Sequence, residues 1–119
     1  MKKNNIILEK SFDFALEIIK VYKYLRFKKK EYVMSKQLLK AGTSIGANCE
    51  EADAAQSHKD FIAKMSISIK EAKETRYWIR LLLYSDYLDK KEILGKSEEI
   101  IRILTKILKT ARENEEKNK

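Results

Sequence analysis

Proline is absent from the 119 residues, and glycine occurs only three times. Collagen-like and PxxP segments require proline, and a β-sandwich needs many turns that contain glycine or proline, so the composition argues against all three. The single cysteine, Cys49, excludes an intramolecular disulfide and favours a reducing compartment. No apolar run reaches the ~18 residues of a membrane span, and the run near the N-terminus is too short for a signal peptide. We therefore expect a cytoplasmic protein with no membrane partner.

Residues that hold metals or catalyse reactions are also scarce. The chain has one histidine, His58, and one cysteine, whereas a metal site needs several ligands on converging faces. A di-iron bundle carries Glu-x-x-His pairs, but Ala55 stands three positions before His58. His58 also lacks the Ser and Asp context of a nucleophilic triad. We expect no metal, no cofactor and no catalytic residue.

Apolar residues recur at helical spacing in four segments, about 6–28, 32–54, 58–86 and 90–112. Four helices of similar length with short connections predict an all-α fold, an up-down-up-down antiparallel four-helix bundle. Residues 1–112 form this single domain, and the polar tail 113–119 should fray because it has no apolar residue. Ser57, followed by Asp60, predicts the N-cap of the third helix. The predicted apolar stripe of the first helix is Leu8, Phe12, Ala15, Ile19 and Tyr22. The face is widened by Phe14, Ile18, Val21 and Leu25.

The second predicted helix contains a run of small residues around Gly42 and Gly46. Each glycine costs a helix about 1 kcal/mol relative to alanine, so an interaction elsewhere must compensate. The two glycines lie four positions apart, hence on one face, where they allow a neighbouring helix to approach closely. A phosphate-binding glycine loop is the rival interpretation, but neither GxGxxG nor GxxxxGK[ST] occurs. Ile45 and Asn48 complete this predicted helix-packing site, with Asn48 fixing the helix register.

The first and third predicted helices carry more apolar residues than one thin core accommodates. Apolar surface on the outside of a small bundle marks a partner-binding face. We therefore expect a homo-oligomer. The candidate interface residues are Phe14, Tyr24, Phe27, Trp78 and Leu81.

The charge is strongly positive, since 26 Lys and Arg against 18 Asp and Glu give a net charge of +8. A small protein this basic attracts polyanions, of which nucleic acid is the commonest in the cytoplasm. The candidate nucleic-acid-binding residues are Lys20, Lys23, Arg26, Lys28, Lys29, Lys30, Lys36, Lys40, Arg76 and Arg80. Tyr22, Tyr24 and Phe27 interleave the first of these; they either stack on unpaired bases or belong to the core or an interface. The alternative for the lysines is that they only keep the helices soluble.

Two separated motifs resemble a known family. The stretch from Ser35 to Ala52 reads SKQLLKAGTSIGANCEEA and fits the pattern SxQLxxAxxSIxANxxEA. A second match covers Ser57–Phe61 and Lys70–Trp78, and the similarity spans roughly residues 10–112. The sequence thus resembles the bacterial four-helix bundle proteins known as 23S rRNA intervening-sequence proteins.

This resemblance implies a bundle that assembles as a homopentamer with a central channel. It also implies kinship with the accessory variability protein of diversity-generating retroelements, which binds nucleic acid through basic surfaces and partners a reverse transcriptase. No catalytic residue is known for the family, so none is assigned. We expect a non-enzymatic, oligomeric protein that binds RNA or DNA with little sequence preference. The other hypotheses are a protein–protein scaffold without nucleic-acid binding and an enzyme.

Overall fold

The computed structural model describes residues 2–117 of the chain, and the side chains of residues 6–117. Four α-helices follow one another: α1 (Lys2–Phe27), α2 (Met34–Asp53), α3 (His58–Tyr84) and α4 (Glu92–Lys117). Each helix packs against the next in the chain, and α4 also contacts α1. The result is an elongated antiparallel bundle of 52 × 21 × 21 Å. This architecture confirms the predicted all-α four-helix fold.

The helix ends differ from the predicted ones by a few residues. At the start of α3, the Ser57 hydroxyl accepts a hydrogen bond from the Asp60 amide at 3.0 Å, which confirms the predicted N-cap. The largest difference is in α4, which continues to Lys117 rather than ending at 112. Residues 113–117 are therefore helical in the structure, which suits Glu and Lys because both are good helix formers that need no apolar contact. Fraying of the tail stays a prediction. Met1 and residues 118–119 of the predicted domain and tail lie outside the described residues.

The core is built from one buried stripe on each helix. On α2, α3 and α4 these stripes follow the predicted spacing, with residues such as Leu38, Met65 and Leu104 fully buried. Each large apolar side chain buried in this way contributes about 1.5–3 kcal/mol relative to an exposed one. The three stripes therefore fix which side of each of these helices faces inward.

On α1 the buried stripe is one residue out of phase with the centre of the predicted face, and it includes Phe14, Ile18 and Leu25, which were predicted only to widen that face. The residues that point inward are Ile7, Ser11, Phe14, Ile18 and Leu25. A polar residue, Ser11, interrupts this stripe, and the sequence pattern therefore favoured the neighbouring Phe12. Ser11 is buried because its hydroxyl donates to the Leu8 carbonyl at 3.2 Å and its small side chain fits against Gly46.

The two glycines of α2 face α1 at short range. A Cβ atom at Gly42 would lie 2.8 Å from Cγ1 of Ile18, and one at Gly46 would lie 3.3 Å from the Ser11 hydroxyl. Ile45 is fully buried beside them. The Asn48 side-chain amide donates to the Ser44 carbonyl of its own helix at 2.8 Å. That bond stays within α2, and the role of Asn48 in helix register stays a prediction.

Candidate nucleic-acid interface

The connection between α1 and α2 is a tightly held turn. Lys30 has a left-handed backbone with φ of 57°, and the following Glu31 amide donates to the Leu25 carbonyl at 2.9 Å. This bond closes a turn of seven residues, from Leu25 to Glu31, and a left-handed residue such as Lys30 is a common way for a helix to end. It directs the chain straight from α1 into α2, so the lysines at residues 28–30 are presented on a defined backbone.

The buried carboxylate of Glu31 holds the other side of this turn. It accepts hydrogen bonds from the backbone amides of Val33 at 3.2 Å, Met34 at 3.0 Å and Ser35 at 2.7 Å. The Ser35 hydroxyl donates in return to the Glu31 carbonyl at 2.7 Å. A negative charge on the free amides of a helix N-terminus is favourable for both hydrogen bonding and the helix dipole. The sequence reasoning missed Glu31, although an acidic residue just before a helix is a known signal for such a cap.

All ten candidate basic residues lie in the same half of the bundle. Because neighbouring helices are antiparallel, the end of α1, the start of α2 and the end of α3 meet at the end that carries the α1–α2 turn. Residues 18–30 contribute six Lys or Arg and no Asp or Glu. Lys36 and Lys40 follow on the first turns of α2, and Arg76 and Arg80 on the last turns of α3. Positive charge is therefore concentrated on one half of the molecule.

These cations are accessible and are not neutralised by described carboxylates. Arg26 and Arg76 are half-buried, and the other eight are exposed. The ion pairs found between described side chains join Lys10 to Glu99, Lys64 to Glu51 and Lys96 to Glu17. None of these pairs includes a candidate residue. The hydrogen bond and charge of Lys10, which is not one of the ten candidate residues, lower the pKa of Glu99.

Glu71 is the acidic side chain of α3 on which Lys40 acts directly. Partial burial, and then the neighbouring Glu74, raise the pKa of Glu71, while the positive charges of Lys40 and Lys70 oppose that rise. The interaction shows that Lys40 on α2 lies close to α3. It does not amount to an ion pair, so the Lys40 ammonium stays available to solvent.

Three aromatic rings lie among the basic residues of the turn. Tyr24, Phe27 and Tyr32 are 42%, 61% and 47% exposed. The Arg26 guanidinium lies 5.8 Å from the Phe27 ring centroid and 5.3 Å from that of Tyr32, and the Lys29 ammonium lies 6.0 Å from the Tyr24 centroid. We call these three rings and two cations the aromatic–cation platform. Tyr32 was not identified from the sequence, although it lies just after the basic run. Tyr22, which was identified from the sequence, is half-buried and lies outside the platform.

The predicted oligomer-interface residues are divided by the structure. Phe14 is only 3% exposed and packs in the core, so it is removed from the interface; the one-residue shift of the α1 stripe turns it inward. Trp78 packs against the core with its indole N–H buried and without a hydrogen-bond partner among the described residues. Leu81 is half-buried, whereas Tyr24 and Phe27 are exposed.

Exposed apolar side chains form two further stripes on opposite sides of the bundle. One lies on α1 and includes Phe12 and Leu16; the other lies on α3 and includes Tyr77 and Tyr84, which are seven residues apart. Within the described residues the backbones of α1 and α3 do not approach each other closely, which places these two helices at diagonal positions of the bundle. We call the two stripes the α1 outer stripe and the α3 outer stripe.

The described part of the chain has neither a metal-binding cluster nor a membrane-spanning helix. Among these residues, no group of three or more His, Cys, Asp or Glu side chains is placed to hold a metal ion. None of the four helices combines the length and apolarity that a membrane crossing requires.

The fold and the charged end together define a small all-α bundle with one basic half. Residues 3–109 match the profile of the family described as 23S rRNA-intervening sequence protein, and the chain belongs to this family. It is also similar to the crystal structure of a protein of unknown function from the S23 ribosomal protein family of Bacteroides thetaiotaomicron VPI-5482. The TM-score is 0.87 at 47% identity, over 90% of this chain and 98% of that chain. Comparison with curated proteins gives no match.

Proposed function

We propose that the protein is a non-enzymatic, oligomeric accessory protein that binds RNA or DNA through its basic half, with little sequence preference. The observation that carries this proposal is the concentration of ten accessible cations that pair with no described carboxylate. Lysine and arginine contacts to phosphates release counterions and supply affinity without reading sequence. Membership of a family named after an rRNA intervening sequence supports a nucleic-acid context.

The buried polar groups support a role without catalysis. Ser68 donates to the Ile45 carbonyl at 2.9 Å, Thr75 to the Glu71 carbonyl at 2.8 Å and Ser97 to the Leu94 carbonyl at 2.6 Å. Each of these hydroxyls satisfies a backbone group inside or between helices. They therefore serve packing, and no proton-transfer step is assigned to them.

Self-association is the second part of the proposal. The α1 and α3 outer stripes are unlike each other and face away from each other, so contacts between copies would join one to the other. Such head-to-tail contacts form a closed ring when the rotation between subunits closes, and the resemblance implies five subunits. A ring would repeat the basic half several times and strengthen weak contacts by avidity. A reverse transcriptase as a further partner is a proposal that rests on the resemblance alone.

A scaffold that binds only protein is the second candidate function. The exposed apolar stripes favour it, because they fit a protein partner and do not require nucleic acid. In that case the lysines serve solubility. The two candidates differ in whether the protein binds an oligonucleotide at low salt.

The test is a salt titration of binding to a fluorescently labelled single-stranded RNA. We expect affinity to fall steeply with salt, with a log–log slope of about −0.7 for each phosphate neutralised. The variant Lys28→Glu/Lys29→Glu/Lys30→Glu should bind more weakly to all sequences and have a flatter slope. The matched control is Lys59→Glu/Lys106→Glu/Lys109→Glu, which reverses three exposed lysines at the opposite end of the bundle.

The control has the same net charge as the first variant but should keep most of the affinity and slope. Circular dichroism checks that both variants remain folded. Absence of binding by the parent protein at low salt would reject the nucleic-acid proposal and favour the scaffold. Equal losses in the two variants would mean that net charge, rather than the basic half, determines binding.

A further inference from the structure

The aromatic–cation platform has more apolar ring surface than phosphate binding requires. Phosphate contacts need only cations, yet Tyr24, Phe27 and Tyr32 keep large parts of their rings in solvent at the centre of the basic cluster. All three lie within nine residues of sequence, on the last turn of α1 and the turn that follows. Exposed rings surrounded by cations are the arrangement that proteins use to stack bases of single strands.

The ring faces distinguish a single strand from a duplex. In a duplex the bases are stacked inside the helix, so only phosphates, sugars and base edges reach the protein. In a single strand each base offers a free face, which stacks on an aromatic ring or on the plane of an arginine. The Arg26 guanidinium lies over both Phe27 and Tyr32, so it links two stacking surfaces and adds a positive charge between them.

The backbone of the turn is fixed before any ligand arrives. Glu31 lies in the turn between Phe27 and Tyr32. Its carboxylate accepts hydrogen bonds from the backbone amides of Val33, Met34 and Ser35. The left-handed Lys30 and the Glu31–Leu25 hydrogen bond close the other side. A ligand that stacks on these rings therefore does not have to order the loop, which reduces the entropic cost of binding.

The charges around the rings favour nucleic acid over a protein partner. The centres of protein interfaces are depleted in lysine, because desolvating an ammonium is unfavourable. Here Arg26, Lys28, Lys29 and Lys30 surround the rings, and none pairs with a carboxylate among the described side chains. A strand of nucleic acid supplies phosphates for the cations and base faces for the rings at the same place.

We infer that the aromatic–cation platform is a stacking site for unpaired bases, so the ligand of the basic half is single-stranded nucleic acid in preference to duplex. This inference rests on the proposed nucleic-acid binding and specifies its ligand class. Tyr32 and Phe27 carry the stacking, with Tyr24 beside them. Arg26 and Lys29 bind the adjoining phosphates and also lie close to the aromatic rings.

The experiment compares a single strand with a duplex of the same length and at the same salt, by fluorescence anisotropy. The parent protein should bind the single strand more tightly. The variant Phe27→Leu/Tyr32→Leu keeps every charge, and should lose about tenfold or more in affinity for the single strand. Its duplex affinity and its salt slope should stay as in the parent, since both depend on the cations.

Two further variants serve as controls. Phe12→Leu/Tyr77→Leu makes the same chemical change on the outer stripes and should leave the single-strand preference intact. Phe27→Trp/Tyr32→Phe restores aromatic faces and should recover single-strand affinity. Light scattering of each variant shows whether its assembly matches that of the parent.

The possible results separate this inference from the proposed function. Equal affinity of the Phe27→Leu/Tyr32→Leu variant and the parent for the single strand, with salt-dependent binding intact, would overturn the stacking site and leave the proposed function standing. Equal losses on the single strand and the duplex would also overturn it. A change in assembly mass in this variant would assign the rings to an interface between copies. Absence of any binding by the parent would reject the proposed function itself.

Discussion

Ile18 of α1 occupies the space that a side chain at Gly42 of α2 would need. A Cβ atom at Gly42 would lie 2.8 Å from both Cγ1 and Cγ2 of Ile18. Both atoms are bonded directly to Cβ of Ile18. Because a β-branched side chain in a helix has one strongly preferred rotamer, they have little freedom to move away. The contact explains why a glycine is used within a helix at this position, despite its poor helix propensity.

The first prediction follows from this contact. Gly42→Ala should lower the free energy of unfolding by about 1–3 kcal/mol, because the added methyl group overpacks the α1–α2 contact. The matched control is Gly95→Ala, where no atom lies within 4 Å of the added Cβ. That control should raise stability by about 0.5–1 kcal/mol through helix propensity alone. Urea unfolding of both variants gives the comparison, and a Gly42→Ala variant as stable as the control would contradict the close packing.

The second prediction concerns the carboxylate of Glu31. Glu31→Ala should lower the free energy of unfolding by about 2 kcal/mol, because the first turn of α2 loses its cap and the buried Ser35 amide loses its partner. Glu50→Ala removes an exposed carboxylate from the same helix and should change stability by less than about 0.5 kcal/mol. Thermal unfolding followed by circular dichroism measures both. Similar midpoints for the two variants would show that Glu31 does not cap α2.

The helices were predictable from the sequence, and several of the site's details were not. Apolar periodicity gave the buried faces of α2, α3 and α4, because those stripes are continuous. On α1 it misplaced the centre of the face by one residue, because one inward position is Ser11 and its tolerance depends on Gly46 of another helix. The cap by Glu31 follows a left-handed Lys30. Lysine rarely adopts this backbone conformation, so no signal for it appears in the sequence.

The third prediction uses the buried thiol of Cys49. Desolvation by burial raises its pKa, while hydrogen bonds to Ser68 and Ser11 partly oppose the rise; the Sγ atom lies 3.2 Å from the Ser68 hydroxyl. A raised folded pKa means that the unfolded chain loses this proton first. The contribution to stability is thus complete below the ordinary thiol pKa of about 8.5 and is lost as pH rises from there through the folded pKa.

The measurement is the free energy of unfolding at pH 7–10 for the parent protein and for Cys49→Ala. The difference between the two should shrink as pH rises above about 8.5, since only the parent carries the thiol. Alkylation of native Cys49 by iodoacetamide should also be slow until the protein unfolds. A pH-independent difference, or rapid alkylation of the folded protein, would contradict the burial of this group.

The fourth prediction tests the proposed contact between the α1 and α3 outer stripes. Phe12→Glu and Tyr77→Glu each place a charge on one exposed stripe, so the fold should survive while association weakens by about 2 kcal/mol or more. Ala47→Glu adds a charge at an exposed site of α2 and should leave the assembly intact. Light scattering should give each of the two stripe variants a mass near the 14.0 kDa of one chain.

Mixing the two stripe variants distinguishes a head-to-tail contact from a symmetric one. Phe12→Glu subunits keep an intact α3 outer stripe, and Tyr77→Glu subunits keep an intact α1 outer stripe. If one stripe binds the other, the α3 outer stripe of a Phe12→Glu subunit can bind the α1 outer stripe of a Tyr77→Glu subunit. The mixture should then form a dimer of twice the single-chain mass, whereas neither variant dimerises alone. If α1 outer stripes instead bind each other, Tyr77→Glu should dimerise by itself and mixing should add nothing. Parent-sized assemblies from both variants alone would remove the two stripes from the interface.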